Sequence, residues 1–302
     1  MNTMNWTGVL PAITTPFNAD GSIDHGFLAR HANWMIDQGC TGIVGLGSLG
    51  EGGTLNDTER SAVLDTLVGA VGSRAPVVAA IASLSTRGAV AQAEDAANRG
   101  CRGLMVLPPY VYQGPWPEMK GHFEAVIRAT PLSCMLYNNP IAYGTDVLPH
   151  QVEELAEANQ NMHSIKESSA DVRRLTAIGT RLGSRLTLLV GVDDLIVEGI
   201  AAGATGWIAG LVNAFPAESV ALFDLARAGK HAEAAALYTW FLPLLRMDVV
   251  PEFVHLIKLV QQQVGMGSER VRAPRLPLTG GLRECSLAAI AEALANRPVL
   301  KR

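Results

Sequence analysis

The sequence predicts a (β/α)8 barrel followed by a small helical C-terminal region. Short β-rich runs alternate with helical segments through the first three quarters of the 302 residues, and there are eight such runs. They recur at intervals of roughly 20 to 34 residues, the repeat of a (β/α)8 barrel. After about residue 216 only helical segments follow. We expect a catalytic barrel over residues 1–224 and a helical region over 225–302. A doubly wound open sheet ranks second because it usually needs fewer strands.

The barrel elements follow from two hydrophobic periods. Apolar and β-branched runs bounded by turn residues are typical of strands, and apolar residues spaced three and four apart are typical of helices. The predicted strands are Val9–Thr14, Gly42–Gly45, Val77–Ile81, Gly103–Leu107, Ser133–Tyr137, Met162–Lys166, Leu186–Val190 and Gly206–Ile208. The helices predicted between them include Asp57–Val71, Arg87–Arg99, Trp116–Ala129, Leu148–Ala158 and Asp194–Ala202.

The last quarter of the chain has helical periodicity without intervening strands. Its predicted helices are Glu218–Ala228, His231–Pro243, Glu252–Val264 and Ser286–Ala295. The link Gly265–Gly281 is rich in Gly and Pro, which is typical of a surface connection.

Composition excludes several classes of protein. Hydrophobic residues make up 48% and charged residues 17%, as in a globular domain. The net charge of -4 provides no basic surface for nucleic acid. The apolar stretch over residues 186–215 is interrupted by acidic residues, so it predicts core and no membrane span.

The N-terminus and the cysteines favour a cytoplasmic protein. Met1–Pro11 lacks a basic segment followed by an apolar stretch, so no secretory signal is expected. Four dispersed cysteines without metal-ligand spacing are interpreted as reduced thiols. They are Cys40, Cys101, Cys134 and Cys285.

Lys166 is the most informative position for function. It closes one predicted strand, and Tyr137 closes the preceding one 29 positions earlier. That interval is about one strand-plus-helix unit of a parallel sheet, so the amine and the phenol are expected side by side. An amine removed from water at such a position is a nucleophile towards carbonyl carbons. The alternative for a lone lysine is a solvated side chain.

Two other predicted strand ends carry polar or aromatic residues. Gly47–Glu51 follows the second strand, and Pro108–Tyr110 follows the fourth. Active sites of (β/α)8 barrels form at the C-terminal ends of the strands, so these segments are expected around Lys166 and Tyr137.

Some motifs point elsewhere and are interpreted more simply. Gly45-x-Gly47-x-x-Gly50 has the dinucleotide-binding spacing, but it follows the second strand and the next strand ends without a carboxylate. We interpret it as a turn whose N–H groups face an anion such as a substrate carboxylate. Glu51 is interpreted as a structural carboxylate at a helix start. Asp193 and Asp194 suggest a metal pair, but capping or loop hydrogen bonding is favoured and no metal is expected.

These residues resemble the dihydrodipicolinate synthase/N-acetylneuraminate lyase superfamily of Schiff-base aldolases. The resemblance rests on four ordered segments and extends over essentially the whole chain. The segments are Gly8–Phe17, Gly47–Glu51, Tyr137–Pro140 and Ile165–Ser168.

The resemblance implies a mechanism based on a covalent imine. Lys166 would bond to C2 of a 2-keto acid, and no cofactor would be required. Tyr137 would act as general acid and base, and Ser48 would relay protons to it. Tyr110 matches a tyrosine that in many relatives enters the site of a neighbouring subunit. As alternatives, Tyr137 and Tyr110 could be packing residues, and Ser48 a helix cap.

The resemblance also implies the substrate contacts and the assembly. The substrate carboxylate would lie on the backbone N–H groups of Ser48 and Leu49, and Gly191 and Ile208 would line the imine pocket. The expected assembly is a homotetramer, a dimer of dimers.

Two departures from the family pattern bear on the reaction. Synthases that condense pyruvate with aspartate semialdehyde carry an arginine five residues after the tyrosine, where this chain has Ala142. Leu49 replaces the second hydroxyl residue of the usual Gly-Thr-Thr-Gly-Glu motif. With Tyr137–Pro140 and Gly206–Leu211, the loop around Ala142 resembles the 1-pyrroline-4-hydroxy-2-carboxylate deaminases of hydroxyproline catabolism.

That deaminase is therefore the first expectation for the reaction. The alternatives are 4-hydroxy-tetrahydrodipicolinate (dihydrodipicolinate) synthase and a 2-keto-3-deoxy sugar-acid dehydratase or aldolase. A catalytically silent sensor of 2-keto acids on the same fold is a further alternative, although such a sensor has no need of a proton relay.

Overall fold

A computed structural model describes residues 4–300 as a parallel eight-stranded barrel surrounded by helices, the fold predicted from the sequence. The eight strands are β1 Gly8–Pro11, β2 Ile43–Gly45, β3 Val77–Ile81, β4 Gly103–Val106, β5 Ser133–Asn138, β6 Met162–Glu167, β7 Thr187–Val190 and β8 Gly206–Ala209. Neighbouring strands pair in parallel in the order β1-β8-β7-β6-β5-β4-β3-β2. A bridge between Ala12 and Val44 brings the two ends of this sheet together.

Twelve α-helices occur within residues 4–300. They are α1 His25–Asp37, α2 Asp57–Val71, α3 Thr86–Asn98, α4 Trp116–Arg128, α5 Pro140–Tyr143, α6 Pro149–Ala158, α7 Arg173–Leu182, α8 Ile196–Ala201, α9 Pro216–Arg227, α10 His231–Leu245, α11 Phe253–Gln263 and α12 Gly280–Ala295. Helices α1, α5 and α7 were not among those singled out from the sequence. The proposed domain boundary at residues 224 and 225 lies within α9, and the division into domains stays a prediction.

Short strands form because the chain is apolar and β-branched where the barrel wall needs it. All five residues of β3 and all four of β4 are buried, as expected for strands covered on both faces. Helix α2 begins with a capping box in which Asn56 and Glu59 each bind the other's backbone N–H. Apolar strands and helix caps are both encoded in the local sequence. This explains why the strands and helices of the barrel could be predicted from residue spacing.

Three predicted boundaries were wrong, the first two for identifiable reasons. Strand β1 ends at Pro11 and not at Thr14, because Thr14 N–H leaves the sheet and donates to Asn213 Oδ1 at 3.1 Å. Helix α10 continues past Pro243, since a proline in the last turn removes one hydrogen bond while Leu244 and Leu245 remain buried. Helix α12 begins at Gly280, six positions before the predicted start at residue 286.

Candidate active site

Strands β5 and β6 bring the two most informative side chains together, as the spacing predicted. Tyr137 pairs with Lys166 in the parallel register. Both side chains are buried, each residue being 7% exposed. Lys166 Nζ lies 3.9 Å from the centroid of the Tyr137 ring. The amine therefore sits against an aromatic face at the C-terminal end of the barrel.

Lys166 has no hydrogen-bond or ion-pair partner within residues 4–300. Gly191, just beyond β7, leaves room for it, because a Cβ there would lie 2.5 Å from Lys166 Cε and 2.0 Å from Ser168 Oγ. The absence of a side chain at Gly191 is thus required by the position of the lysine. A buried amine without a bonded carboxylate is available for chemistry.

The loop after β2 follows the C-terminal end of its strand, the same end of the barrel as Lys166. Leu46 and Glu51 have positive φ, 67° and 53°, and fold the loop tightly. A Cβ at Gly52 would lie 2.0 Å from the Leu46 carbonyl oxygen, which explains the glycine. The N–H groups of Ser48 and Leu49 make no hydrogen bond within the described chain. They remain free to bind an anion.

Three of the chain's five tyrosines meet beside Ser48. The Ser48 hydroxyl hydrogen-bonds to the hydroxyl of Tyr143. The Tyr143 ring packs edge-on against Tyr137, with centroids 5.6 Å apart, and lies 5.9 Å from the ring of Tyr110. Burial, reinforced by the neighbouring phenols of Tyr137 and Tyr110, raises the pKa of Tyr143 well above its usual range.

Tyr143 is the site residue that sequence reasoning missed. The resemblance led us to expect a relay from Ser48 to Tyr137, but in the described chain Tyr143 is the hydrogen-bond partner of Ser48. The Tyr137 hydroxyl instead accepts from Asn139 Nδ2 at 3.0 Å. Helix α5 has a single turn and bends Tyr143 back over the strand end. The available signal was a third phenol six positions after Tyr137.

Tyr110 lies within the site of its own chain. Burial raises its pKa, and the nearby Ser48 hydroxyl partly opposes that shift. Tyr112 instead is half exposed and donates to the Glu118 carboxylate. Between them, Val111 is 91% exposed and has a φ of 72°, an uncommon conformation for a β-branched residue.

Asp193 and Asp194 point to different partners and do not form a pair for a metal. Asp193 is buried and accepts N–H bonds from Trp207 at 2.9 Å and Leu211 at 2.8 Å. This is the loop hydrogen bonding that the sequence favoured. Burial raises the pKa of Asp193 to about 6, although these donors oppose the shift. Asp194 lies 3.7 Å from Arg246, and residues 4–300 contain no cluster of three His, Cys, Asp or Glu side chains suited to a metal.

The remaining predicted substrate contact comes from β8. Ile208 is 2% exposed and pairs with Leu10 of β1. Just past this strand, Gly210 makes room for a carboxylate, since a Cβ there would lie 1.9 Å from Asp248 Oδ1. Burial and the nearby Asp193 raise the pKa of Asp248, while Lys166 opposes that shift. The C-terminal region thus brings an acid close to the lysine, a feature without any local sequence signal.

The chain matches the family model described as the dihydrodipicolinate synthetase family over residues 5–293. It is 32% identical over 277 residues to a 4-hydroxy-tetrahydrodipicolinate synthase of Prochlorococcus marinus, with 91% of each chain covered. A protein of the same name from Geotalea daltonii is 34% identical over 281 residues, covering 90% of this chain and 93% of the relative.

Solved structures also match this chain over nearly its whole length. The 4-hydroxy-tetrahydrodipicolinate synthase of Methylacidiphilum fumariolicum superposes with a TM-score of 0.91 at 29% identity, covering 97% of this chain and 98% of the other. A prophage protein of the dihydrodipicolinic acid synthase family from E. coli K12, solved in complex with pyruvate, gives a TM-score of 0.89 at 29% identity. That comparison covers 96% of this chain and 99% of the other.

Proposed function

The chain belongs to the dihydrodipicolinate synthetase family, and on that premise we propose that it acts through Lys166 as a Schiff-base lyase on a 2-keto acid or a cyclic imino acid. Enzymes of this family are Schiff-base lyases that work through a covalent lysine imine and need no cofactor. The relative solved with pyruvate, a 2-keto acid, supports this substrate class. The observation that carries the proposal is the buried, unpaired amine of Lys166 against the Tyr137 ring.

The proposed chemistry begins with addition of the Lys166 amine to C2 of the substrate. Loss of water from the carbinolamine gives a protonated imine, which withdraws electrons from C2. A proton can then leave C3, or the bond between C3 and C4 can break. Tyr137, whose ring lies against the amine, is the proposed acid and base for these proton transfers.

The substrate carboxylate is proposed to bind at the loop after β2. The free N–H groups of Ser48 and Leu49 are suitable donors, and charge-assisted hydrogen bonds are the stronger class. Gly191 and Ile208 would line the pocket around the imine, one by leaving space and the other by apolar contact.

The charges at the barrel mouth favour a substrate with a single carboxylate. Ala142 is exposed and cannot bind a second carboxylate, while Asp248 places an acid near Lys166. A substrate with a second carboxylate would lose a charge-assisted hydrogen bond worth about 1.5–3 kcal/mol.

We therefore propose 1-pyrroline-4-hydroxy-2-carboxylate deaminase as the specific reaction. The Lys166 amine would add to the cyclic C2=N bond and open the ring by transimination. Loss of a C3 proton would expel the 4-hydroxyl as water and leave a C3=C4 double bond beside the C5 amine. Transfer of a proton from C5 to C3 would turn that amine into an enamine, the tautomer of a C5 imine, whose hydrolysis would release ammonia. Hydrolysis of the lysine imine would then free 2-oxoglutarate semialdehyde, with one water consumed overall.

The second candidate is 4-hydroxy-tetrahydrodipicolinate synthase. The names of the relatives favour it, at 32% and 34% identity for the two described above. None of those relatives is named as a deaminase. A 2-keto-3-deoxy sugar-acid dehydratase or aldolase is a third candidate that fits the same lysine.

A substrate panel separates these reactions. The pyrroline acid, 2-keto-3-deoxy sugar acids, and pyruvate with aspartate semialdehyde would each be assayed for product. We expect ammonia release from the pyrroline acid at a kcat/KM at least tenfold above the others. Preference for pyruvate with aspartate semialdehyde would overturn the deaminase assignment and leave the Schiff-base mechanism intact.

We propose a homotetramer built from dimers, with the barrel mouth as one contact. Val111 and Ile141 are 91% and 73% exposed, and their loops are linked by a hydrogen bond from Gln113 Nε2 to the Tyr143 carbonyl. Sedimentation of Val111→Glu against the unaltered chain tests this assembly, and dissociation is expected.

Within residues 4–300, every helix is too short or too polar to span a membrane. A cytoplasmic location stays a prediction.

A further inference from the structure

We propose that the Tyr143 hydroxyl connects Tyr137 to Ser48, so that the proton relay of the Lys166 imine lies within one chain. This proposal rests on the proposed Schiff-base function and adds a residue that the resemblance did not supply. Tyr143 acts through Tyr137 and is therefore a positioning and relay residue.

The contacts of Tyr143 place it between the two groups. Its hydroxyl is hydrogen-bonded to the Ser48 hydroxyl. Its ring meets the Tyr137 ring edge-on, with centroids 5.6 Å apart, and the neighbouring Tyr137 phenol contributes to the raised pKa of Tyr143. Tyr143 therefore keeps its proton at neutral pH and can only pass one on as it receives another.

The loop that carries Tyr143 is fixed in place. Asn139 Oδ1 caps α5 by accepting the N–H of Ala142 at 3.0 Å. Gly144 ends the turn at φ 72°, and a Cβ there would lie 2.0 Å from Gln113 Nε2. A side chain at Gly144 would displace Gln113, which bonds to the Tyr143 carbonyl. Both ends of the short helix thus hold the phenol against the site.

The proton transfers balance along this path. Tyr137 donates a proton to the carbinolamine hydroxyl, the C2–O bond breaks, and water leaves. The Lys166 nitrogen lone pair forms the second C–N bond, giving the protonated imine. Tyr137 recovers its proton from Tyr143, Tyr143 from Ser48, and Ser48 from solvent. One proton enters from solvent for each imine formed, and the reverse path serves hydrolysis.

Tyr143→Phe tests the relay because it removes the hydroxyl and keeps the ring. The probe is pyruvate in deuterium oxide, whose methyl protons exchange through the imine and its enamine. We expect the rate constant for exchange at saturating pyruvate to fall about 100-fold or more, with half-saturation changed less than about threefold. Tyr112→Phe is the matched control, since its hydroxyl bonds to Glu118 away from the lysine, and its exchange should be unchanged.

A double-mutant cycle with Ser48→Ala distinguishes a relay from packing. If Ser48 and Tyr143 belong to one path, the exchange rate of the double variant should be no lower than that of the more impaired single variant. Additive losses, or a change confined to half-saturation, would overturn the relay. Thermal unfolding of each variant shows whether the barrel remains intact. If Tyr143→Phe is destabilised, Ser48→Ala alone still tests the path, because unchanged exchange in that variant would overturn the relay.

Borohydride trapping separates this proposal from the function on which it rests. Tyr143→Phe should still give a pyruvate adduct on Lys166 after long incubation, because a slower relay does not remove the amine. Exchange within twofold of the unaltered enzyme in Tyr143→Phe, with a large loss in Tyr110→Phe, would assign the relay to Tyr110. The lack of any adduct in the unaltered enzyme would overturn the proposed function itself.

Discussion

Lys166 and Lys258 are two buried lysines with opposite surroundings. Each amine lies over an aromatic ring, Lys166 at 3.9 Å from Tyr137 and Lys258 at 4.4 Å from Phe17. Lys258 forms an ion pair with the buried Glu51 and donates to the Arg270 carbonyl at 2.8 Å. Lys166 has neither kind of partner within residues 4–300. Burial with bonded partners favours a structural role, and burial without them leaves an amine available for bond formation.

The Lys258 pair adds to the interpretation of Glu51. The sequence suggested a structural carboxylate at a helix start, and Glu51 does precede the short 3-10 helix Gly52–Thr54. Its carboxylate also binds Lys258 and accepts the Arg272 N–H at 3.0 Å. Glu51 thereby ties the loop after β2 to the C-terminal region. The loop that offers the Ser48 and Leu49 N–H groups is positioned by this contact.

The largest expected effect is on turnover at Lys166. Lys166→Met keeps most of the apolar stem and removes the nucleophile, so exchange of pyruvate protons should fall on the order of 10⁴-fold or more. Stability should be unchanged or improved, because an unpaired buried amine is replaced by a thioether. Exchange kinetics and urea unfolding of the same preparation measure the two effects. Retained turnover would remove the distinction between the two lysines.

Lys258→Met should have the opposite result. It leaves the Glu51 carboxylate buried with a weaker set of partners, which should lower the free energy of unfolding by about 3–5 kcal/mol. Urea unfolding measures the loss. As a matched control, Lys258→Met combined with Glu51→Gln should recover part of it, because no charge is then left buried. A loss below 1 kcal/mol would contradict the structural role.

His31 is a third buried basic residue, and like Lys258 it has a bonded partner. Its Nε2–H donates to the Asn213 carbonyl, and burial lowers its pKa to about 4 from the ordinary 6.5. As the pH falls, His31 takes up a proton in the unfolded chain before it does so in the folded chain. The contribution of neutral His31 to the free energy of unfolding is therefore complete above pH 6.5 and is lost as the pH falls towards 4, by about 3 kcal/mol in total. Urea unfolding between pH 7 and 4.5 should show a shallower pH dependence in His31→Gln, and identical slopes would refute this.

The smallest expected effect tests the charge at the barrel mouth. Ala142→Arg adds a cation on the exposed face of α5, where a second substrate carboxylate would gain a charge-assisted hydrogen bond worth about 1.5–3 kcal/mol. Condensation of pyruvate with aspartate semialdehyde should improve about 10-fold or more in kcat/KM. Ala142→Gln, which is long but uncharged, is the control. Equal gains in both variants would show that charge is not the limiting feature.

Sequence reasoning succeeded where geometry follows from the order of strands. Parallel pairing of consecutive strands forces the residues that close β5 and β6 together, so Tyr137 and Lys166 could be placed from their spacing. Tyr143 could not be placed, since hydrophobic period does not determine the path of a one-turn helix. The pairing of Glu51 with Lys258, 207 positions apart, depends on how the C-terminal region docks, and no local pattern encodes it.

Mass spectrometry after borohydride reduction with pyruvate tests the difference between the two lysines most directly. We expect one three-carbon adduct per chain, located on the peptide that contains Lys166 and absent from the peptide that contains Lys258. Lys166→Met should abolish the adduct. An adduct at another lysine, or none with any 2-keto acid, would contradict the role proposed for Lys166.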